Sequence, residues 1–484
     1  MSLSTSLANA LSGLNAASRS AEVVSSNVAN VMTAGYARRE VNLSPQSLGG
    51  NGAGVRVDSV TRAINQSVLN DRRLADAEAG NRQLRSDFLA GIEARIGRPG
   101  EPASLGARID ALESALIEAT SRPDSAARLQ GIADAADALG DHLNDLSRGL
   151  QQSRMDADAA IAREVGTLNE TLAQIDRLNA EILTQRSSGR DATALMDQRQ
   201  SLVDRVAEIV PVREVARQND QIALFTTGGA ILLDGNPAVI GFAPVGVITP
   251  DMTLASGALS GLTINGQPVA SGDGGVLGGG TLGARFAIRD TLAPAAQDQL
   301  DAFARDLIGR FADPALDPTL APGQPGLFTD AGGAFDPLLE VGLAGRIRIN
   351  AAVDPARGGA LWRLRDGIGA PAPGEVGNAT LLGALADRMA EARVPASGPF
   401  IGAAVSSSAL ASDILSQIAA GRQDAEARTS FATARQEALT QLQLQDGVDT
   451  DAEMQRLLMV EQAFSANARV IQMIDDLIQQ LIGL

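Results

Sequence analysis

The chain has 484 residues, a formal charge of −17, one His and no Cys, and all 40 of its basic residues are Arg. Without Lys there is no P-loop or Schiff-base chemistry, without Cys there is no thiol nucleophile, disulfide, zinc finger or iron–sulfur cluster, and with His142 alone no multi-histidine metal centre can be built within one chain. The acidic balance argues against nucleic acid as a partner, and no run of about 18 apolar residues marks a membrane span.

From the amino terminus, apolar residues fall at Leu3, Leu7, Ala10, Leu14, Ala17, Ala21, Val24, Val28 and Val31. The 4-3 alternation predicts one helix with a heptad seam. The helix should stop near Thr33-Ala34-Gly35, where Gly35 can adopt positive φ. A Gly-rich loop, Ser44 to Gly54, is expected next, followed by a short strand at Val55-Arg56-Val57. Helical patterns then run to about residue 210, broken near Gly97-Arg98-Pro99-Gly100 and Ser187-Ser188-Gly189. A second heptad run lies between the breaks: Ile161, Val165, Leu168, Leu172, Ile175, Asn179 and Ile182. Pro211 marks the end of this region.

Residues 212–285 are rich in Gly and β-branched side chains. Asp234-Gly235 and Asn265-Gly266, each flanked by apolar runs, read as hairpin turns of type I′. Helical period returns with Leu300, Phe303, Leu307 and Phe311. A Pro-rich linker covers 312–326, Arg346-Ile347-Arg348-Ile349 alternates like an edge strand, and a second linker covers 370–377. A long Ala-rich helix should follow from about Ser406 to Gln445. After a break at Asp446-Gly447, a terminal seam reads Leu457, Val460, Phe464, Asn467, Ile471, Ile474, Ile478 and Leu481. Its polar member, Asn467, is a candidate for setting register.

Both terminal seams are thin. Three of the nine amino-terminal positions are Ala, which bury little surface. Full burial of a large aliphatic side chain is worth roughly 1.5–3 kcal/mol, against an ordering cost of about 1–2 kcal/mol per residue. Neither end should fold stably alone; each needs the other end, or a neighbouring copy of the chain.

Few residues invite chemistry. Gly272-Asp273-Gly274-Gly275-Val276-Leu277-Gly278-Gly279-Gly280 does not fit a dinucleotide fingerprint, has no following helix in a βαβ unit, and reads as a turn. His142 has a neighbouring carboxylate but no nucleophile motif. Asp475-Asp476 sits on an amphipathic helix, which offers no cleft to separate two pKa values. Arg38-Arg39 is too short a run for nucleic acid and should pair with carboxylates in a packing interface.

The termini resemble a known family. Ser25-Ser26-Asn27-Val28-Ala29-Asn30 followed by Thr33-Ala34-Gly35-Tyr36-Ala37-Arg38 is similar to the amino-terminal signature of bacterial flagellar rod, hook and hook-associated axial proteins. Gly52-Ala53-Gly54-Val55-Arg56-Val57, with Arg62 downstream, resembles the segment after it. Glu461-Gln462-Ala463-Phe464-Ser465-Ala466-Asn467-Ala468-Arg469-Val470-Ile471 is similar to the carboxy-terminal signature. Gly447-Val448-Asp449-Thr450-Asp451-Ala452-Glu453 and Gly279 to Asp290 resemble segments of the junction members of the group. Arg39 and Phe464 depart from the family pattern, which has Gln and Tyr there.

The resemblance implies a mainly α fold with an inserted β domain. Paired terminal coiled-coil helices (1–34 with 451–484) would join a helical-bundle inner domain (35–211 with 286–450) and a small β-rich outer domain (212–285). It implies a structural protein with no enzymatic activity and no cofactor. Such a protein is exported unfolded through the flagellar type III channel and forms a homo-oligomeric ring joining hook to filament. The implied partners are the hook protein, the second hook–filament junction protein and an export chaperone on the carboxy-terminal helix, with neither nucleic acid nor membrane. Assembly contacts would fall on the seam residues and on Asn27, Asn30, Gly35, Tyr36 and Arg38. The alternative is a secreted adhesin that binds a surface through the β insert.

Overall fold

The computed structural model describes residues 3–33, 35–48, 51–400 and 402–482. Ala34, Gly49 and Gly50 of the expected turn and loop lie outside these residues. The chain opens with helix α1 (Leu3–Ala29), then a hairpin of β1 (Arg39–Leu48) and β2 (Asn51–Arg62). Four helices follow: α2 (Gln66–Ile96), α3 (Leu105–Ser121), α4 (Ala126–Ser187) and α5 (Thr193–Ile209). The β-rich segment holds a four-stranded sheet of β3 (Val212–Ala216), β4 (Ile222–Thr226), β5 (Ile231–Asp234) and β6 (Asn236–Pro237), and a three-stranded one of β7 (Ile240–Gly241), β8 (Leu262–Ile264) and β9 (Gln267–Val269). Helix α6 (Gly280–Ala287) runs through a π turn into α7 (Ala293–Phe311). Strands β10 (Phe328–Asp330) and β11 (Ile347–Ile349) pair, followed by α8 (Arg363–Asp366), α9 (Thr380–Ala390), α10 (Ser407–Gln445) and α11 (Thr450–Ile482). The fold is mainly α with an inserted β segment.

Local chemistry explains many of the boundaries. Asn65, Ser104 and Ser406 accept hydrogen bonds at the first turns of α2, α3 and α10, as N-cap side chains do. Gly97 ends α2 at φ 82°. The helical stretch after residue 100, expected to be continuous to 187, is interrupted once more at 122–125, where Pro123 bars the helical conformation of the residue before it. Asn265 and Gly266 turn β8 into β9 with φ 50° and 79°.

The expected Gly-rich loop is instead most of a hairpin. Strand β1 pairs antiparallel with β2, with irregularities between Asn42 and Leu43 and between Pro45 and Ser47. Glycine serves close approach here: Gly54, at φ 98°, lies directly on the Ser12 side chain of α1, and the Val55 N–H donates to Ser12 Oγ at 3.1 Å. The Gly272–Gly280 run is a turn, but a helix does open at its end. Gly280, the first residue of α6, packs against the Ile209 carbonyl and accepts from Asn81 Nδ2 at 2.7 Å. The Pro-rich segment 312–326 is packed down: Leu316, Asp317 and Leu320 are buried, and the Asp317 carboxylate accepts from Ile368 N at 2.8 Å.

Two apolar clusters make the core. One joins α3, the first half of α4, α7, α9, the start of α10 and strands β10–β11. The other joins the second half of α4 and α5 to α6 and the apolar side chains of 212–285, among them Leu224, Leu233, Ile240 and Leu262. The β-rich segment therefore shares its core with helices. At 1.5 Å per residue, the 62-residue α4 is about 93 Å long and belongs to both clusters. Helices α2 and α10 run antiparallel beside each other, tied by Arg422–Glu93 and Arg435–Glu78.

Candidate assembly interface

The two ends of the chain meet. Helices α1 and α11 pack side by side, and two contacts fix their direction. Asn27 Nδ2 donates to Glu453 Oε2 at 3.1 Å. Fourteen residues earlier on α1, Gly13 faces Asn467, fourteen residues later on α11. The pair is antiparallel, and the contacts stand two heptads apart.

Asn27 is fully buried and uses its whole hydrogen-bonding capacity. Its Nδ2 also donates to the Arg39 carbonyl at 3.0 Å, and its Oδ1 accepts from the Arg39 N–H at 2.9 Å and the Tyr36 hydroxyl at 2.8 Å. Glu453, 1% exposed, takes its second contact from Arg456 at 2.8 Å. One amide thus joins α1, the turn after it, the start of β1 and α11. Around this hub Asn30 donates to the Ser26 carbonyl at 2.9 Å, Gly35 adopts φ 78°, and Arg38 pairs with Glu40 at 2.7 Å.

A second carboxylate anchors the hairpin to α5. Asp197 accepts from the Ala37 N–H at 3.3 Å and pairs with Arg39 at 3.2 Å and Arg62 at 2.7 Å. Burial lowers the pKa of the Arg62 guanidinium and Asp197 opposes that shift. Arg39 also lies over the Tyr36 ring, 5.0 Å from its centroid. Elsewhere His142 is half-buried on α4, where burial and Arg108 lower its pKa. Asp475 and Asp476 are exposed on α11.

Of the seam residues, Ala10, Ala17, Val24 and Ile474 are buried. Leu3, Leu14, Ala21, Val28, Leu457, Val460, Asn467, Ile471 and Ile478 are half-buried, while Leu7, Val31, Phe464 and Leu481 are exposed, Val31 beyond the end of the helix. Because α1 packs on the hairpin as well as on α11, its buried set also takes in Ala16, Val23 and Asn27. Small residues line the inside of the pair; Leu7 and Leu11 look outward.

Helix α11 carries a further stripe. Met459, Ala463, Ala466, Val470, Met473 and Leu477 repeat at 4-3 spacing and are all exposed; Met459 and Met473 remain 61% and 65% exposed. Helix geometry puts this stripe on the face adjoining the α1 contact. Its period could have been found in the sequence, beside the stripe that was. The roles of Glu453 as a buried partner and Asp197 as an anchor had no local signal.

Among the described residues no helix is long and apolar enough to cross a membrane. Residues 90–314 match the family model for the flagellar hook-associated protein FlgK helical domain. Residues 7–36 match the flagella basal body rod protein model, and 445–484 the flagellar basal body rod FlgEFG protein C-terminal model. Flagellar hook-associated protein 1 of Salmonella typhimurium is 26% identical over 243 residues, covering 49% of this chain and 44% of that protein. The protein of the same name from Bacillus subtilis is 23% identical over 250 residues, 49% of each chain. These matches span less than half of the relatives' own length. The solved flagellar hook junction protein FlgK from Burkholderia pseudomallei aligns at TM-score 0.45 and 20% identity over 54% of this chain and 47% of that one. The chain thus carries a helical domain of the flagellar hook-associated protein FlgK type, set between two termini of the flagellar rod type.

Proposed function

We propose that this chain is a structural subunit of the flagellar hook–filament junction, outside the cell, assembling with its own copies as a ring through its terminal helices. The observation that carries the reading is the uncovered apolar stripe on α11, Met459 to Leu477, beside a face already paired with α1. A helix apolar on two adjoining faces has one face for its own chain and one for another molecule. Each additional subunit covers the stripe of its neighbour, so ordering of the ends is coupled to polymerisation.

The hook protein lies on one side of the ring and the second hook–filament junction protein on the other. An export chaperone covers the same stripe on α11 before assembly. The role is mechanical, with no catalysis. An adhesin acting through 212–285 has less in its favour: most of that segment's large apolar side chains, Leu224, Leu233, Ile240 and Leu262 among them, are taken up in the core shared with α4 and α5, and its most exposed ones are Ile231, Val239 and Val247, none of them aromatic.

The test is complementation of a flagellated bacterium lacking its own hook-associated protein 1. The full chain restores filaments on hooks, and the chain cut after Leu457 leaves hooks bare. Filaments attached in the truncated strain would overturn the reading.

A further inference from the structure

Away from the termini, α2, α4, α7 and α10 line a partly open cavity of about 150 Å³. Phe88, Ile92, Leu146, Leu150, Leu300 and Ile418 form its apolar wall. An apolar hollow of this size has room for a benzene-sized molecule. Two charged side chains, Asp87 and Arg95, stand at its edge. Asp87 is engaged, accepting from Gln83 Nε2 at 2.7 Å. Arg95, by contrast, makes no ion pair among the described residues.

The mouth is shaped for that arginine. Gly149 lies mid-way along α4, where Gly costs about 1 kcal/mol relative to Ala. The missing β-carbon leaves room for one thing: the Arg95 guanidinium lies where that carbon would be. The result is an apolar pocket, open at its mouth, with a permanently charged fork of donors across its rim that makes no ion pair among the described residues.

We propose that this cavity binds a small apolar monocarboxylate, its hydrocarbon body among Phe88, Leu150 and Ile418 and its carboxylate on Arg95. A guanidinium binds a carboxylate through two parallel hydrogen bonds, and the engaged Asp87 carboxylate repels a second negative charge on the ligand. Occupancy adds contacts to four helices at once and so stabilises the folded state in proportion to ligand concentration.

The test is calorimetric titration of the full chain with benzoate and hexanoate, with hexan-1-ol as the uncharged probe and circular dichroism to verify folding of each variant. The wild type binds both carboxylates saturably. Arg95→Gln weakens them about tenfold, the value of a charge-assisted hydrogen bond, and leaves hexan-1-ol unchanged. Gly149→Ala, whose methyl displaces the guanidinium, acts in the same direction. Ala296→Leu fills the cavity and abolishes binding of all three. Absence of saturable carboxylate binding by the wild type, or carboxylate binding that survives Ala296→Leu, overturns the proposal. Undiminished carboxylate affinity in Arg95→Gln overturns the role of Arg95.

Discussion

The side-chain amide of Asn467 lies against the bare Cα of Gly13: a β-carbon there would stand 2.7 Å from both its nitrogen and its oxygen. That amide donates to the Ala463 carbonyl of its own helix at 2.9 Å, so its fit to α1 is one of shape. Gly13→Ala gains up to about 1 kcal/mol of helix propensity but pushes the two helices apart. The expected outcome is faster hydrogen exchange and earlier proteolytic trimming of both ends. Adding Asn467→Ala should restore protection; a double variant as labile as Gly13→Ala would show that the two residues are not coupled.

Asn27 tests the other end of the pair. Asn27→Ala removes one of the two partners of a carboxylate only 1% exposed, leaving Glu453 Oε2 without its donor while Oε1 keeps Arg456, and a buried polar atom left without a partner costs about 1–3 kcal/mol. The ends should detach while the body stays folded, visible as release of α11 to protease at unchanged far-ultraviolet signal from the body. Glu453→Gln keeps one hydrogen-bonding oxygen and should be milder.

In the body, Arg289 is fully buried between the Asp158 carboxylate at 2.6 Å and Asp290 at 2.8 Å. It lies over the rings of Phe286 and Phe242, 4.9 and 5.5 Å from their centroids. Arg289→Leu leaves Asp158 charged, unpaired and out of water. Breaking such a pair costs about 3–5 kcal/mol. Denaturant unfolding should show that loss, and Asp158→Leu in the same chain should recover part of it.

Asp301 gives a pH signature. It accepts from the N–H groups of Gly342 and Ala344 at 2.7 and 2.8 Å. Burial outweighs these donors and pushes its carboxyl from 3.8 up to about 6. A carboxyl raised in the folded state favours that state when protonated. Its stabilising contribution is full below pH 3.8 and disappears as pH rises through about 6, a difference of up to roughly 3 kcal/mol. Wild-type stability relative to Asp301→Asn should therefore increase as pH falls from 7 to 5. A constant difference across that window would contradict the assignment.

Much of the framework was legible in sequence because it is local. The heptads of α4, the turn at Asn265-Gly266, the positive φ of Gly35 and the stop before Pro211 each depend on neighbours within a few residues. The hairpin of β1 and β2 was not legible. Its glycines look like loop residues until Ser12 supplies the surface that Gly54 rests on. The outward turn of Leu7 was hidden for a similar reason, because α1 is shared between a hairpin and a helix and its buried face is rotated from the heptad stripe. The Asn27–Glu453 bond spans 426 positions, a distance over which spacing carries no information; there the signature residues identified the place, and the geometry supplied what they do.

Helix α4 contributes to both apolar clusters without a break. Shearing one cluster against the other would mean bending a single uninterrupted rod, so the body behaves as a strut. Compliance under load is therefore expected at the extremities, where the α1–α11 pair and its hairpin reach the body through Asp197 and its arginines. Stiffness in the middle and give at the attachment are thus divided along one polypeptide.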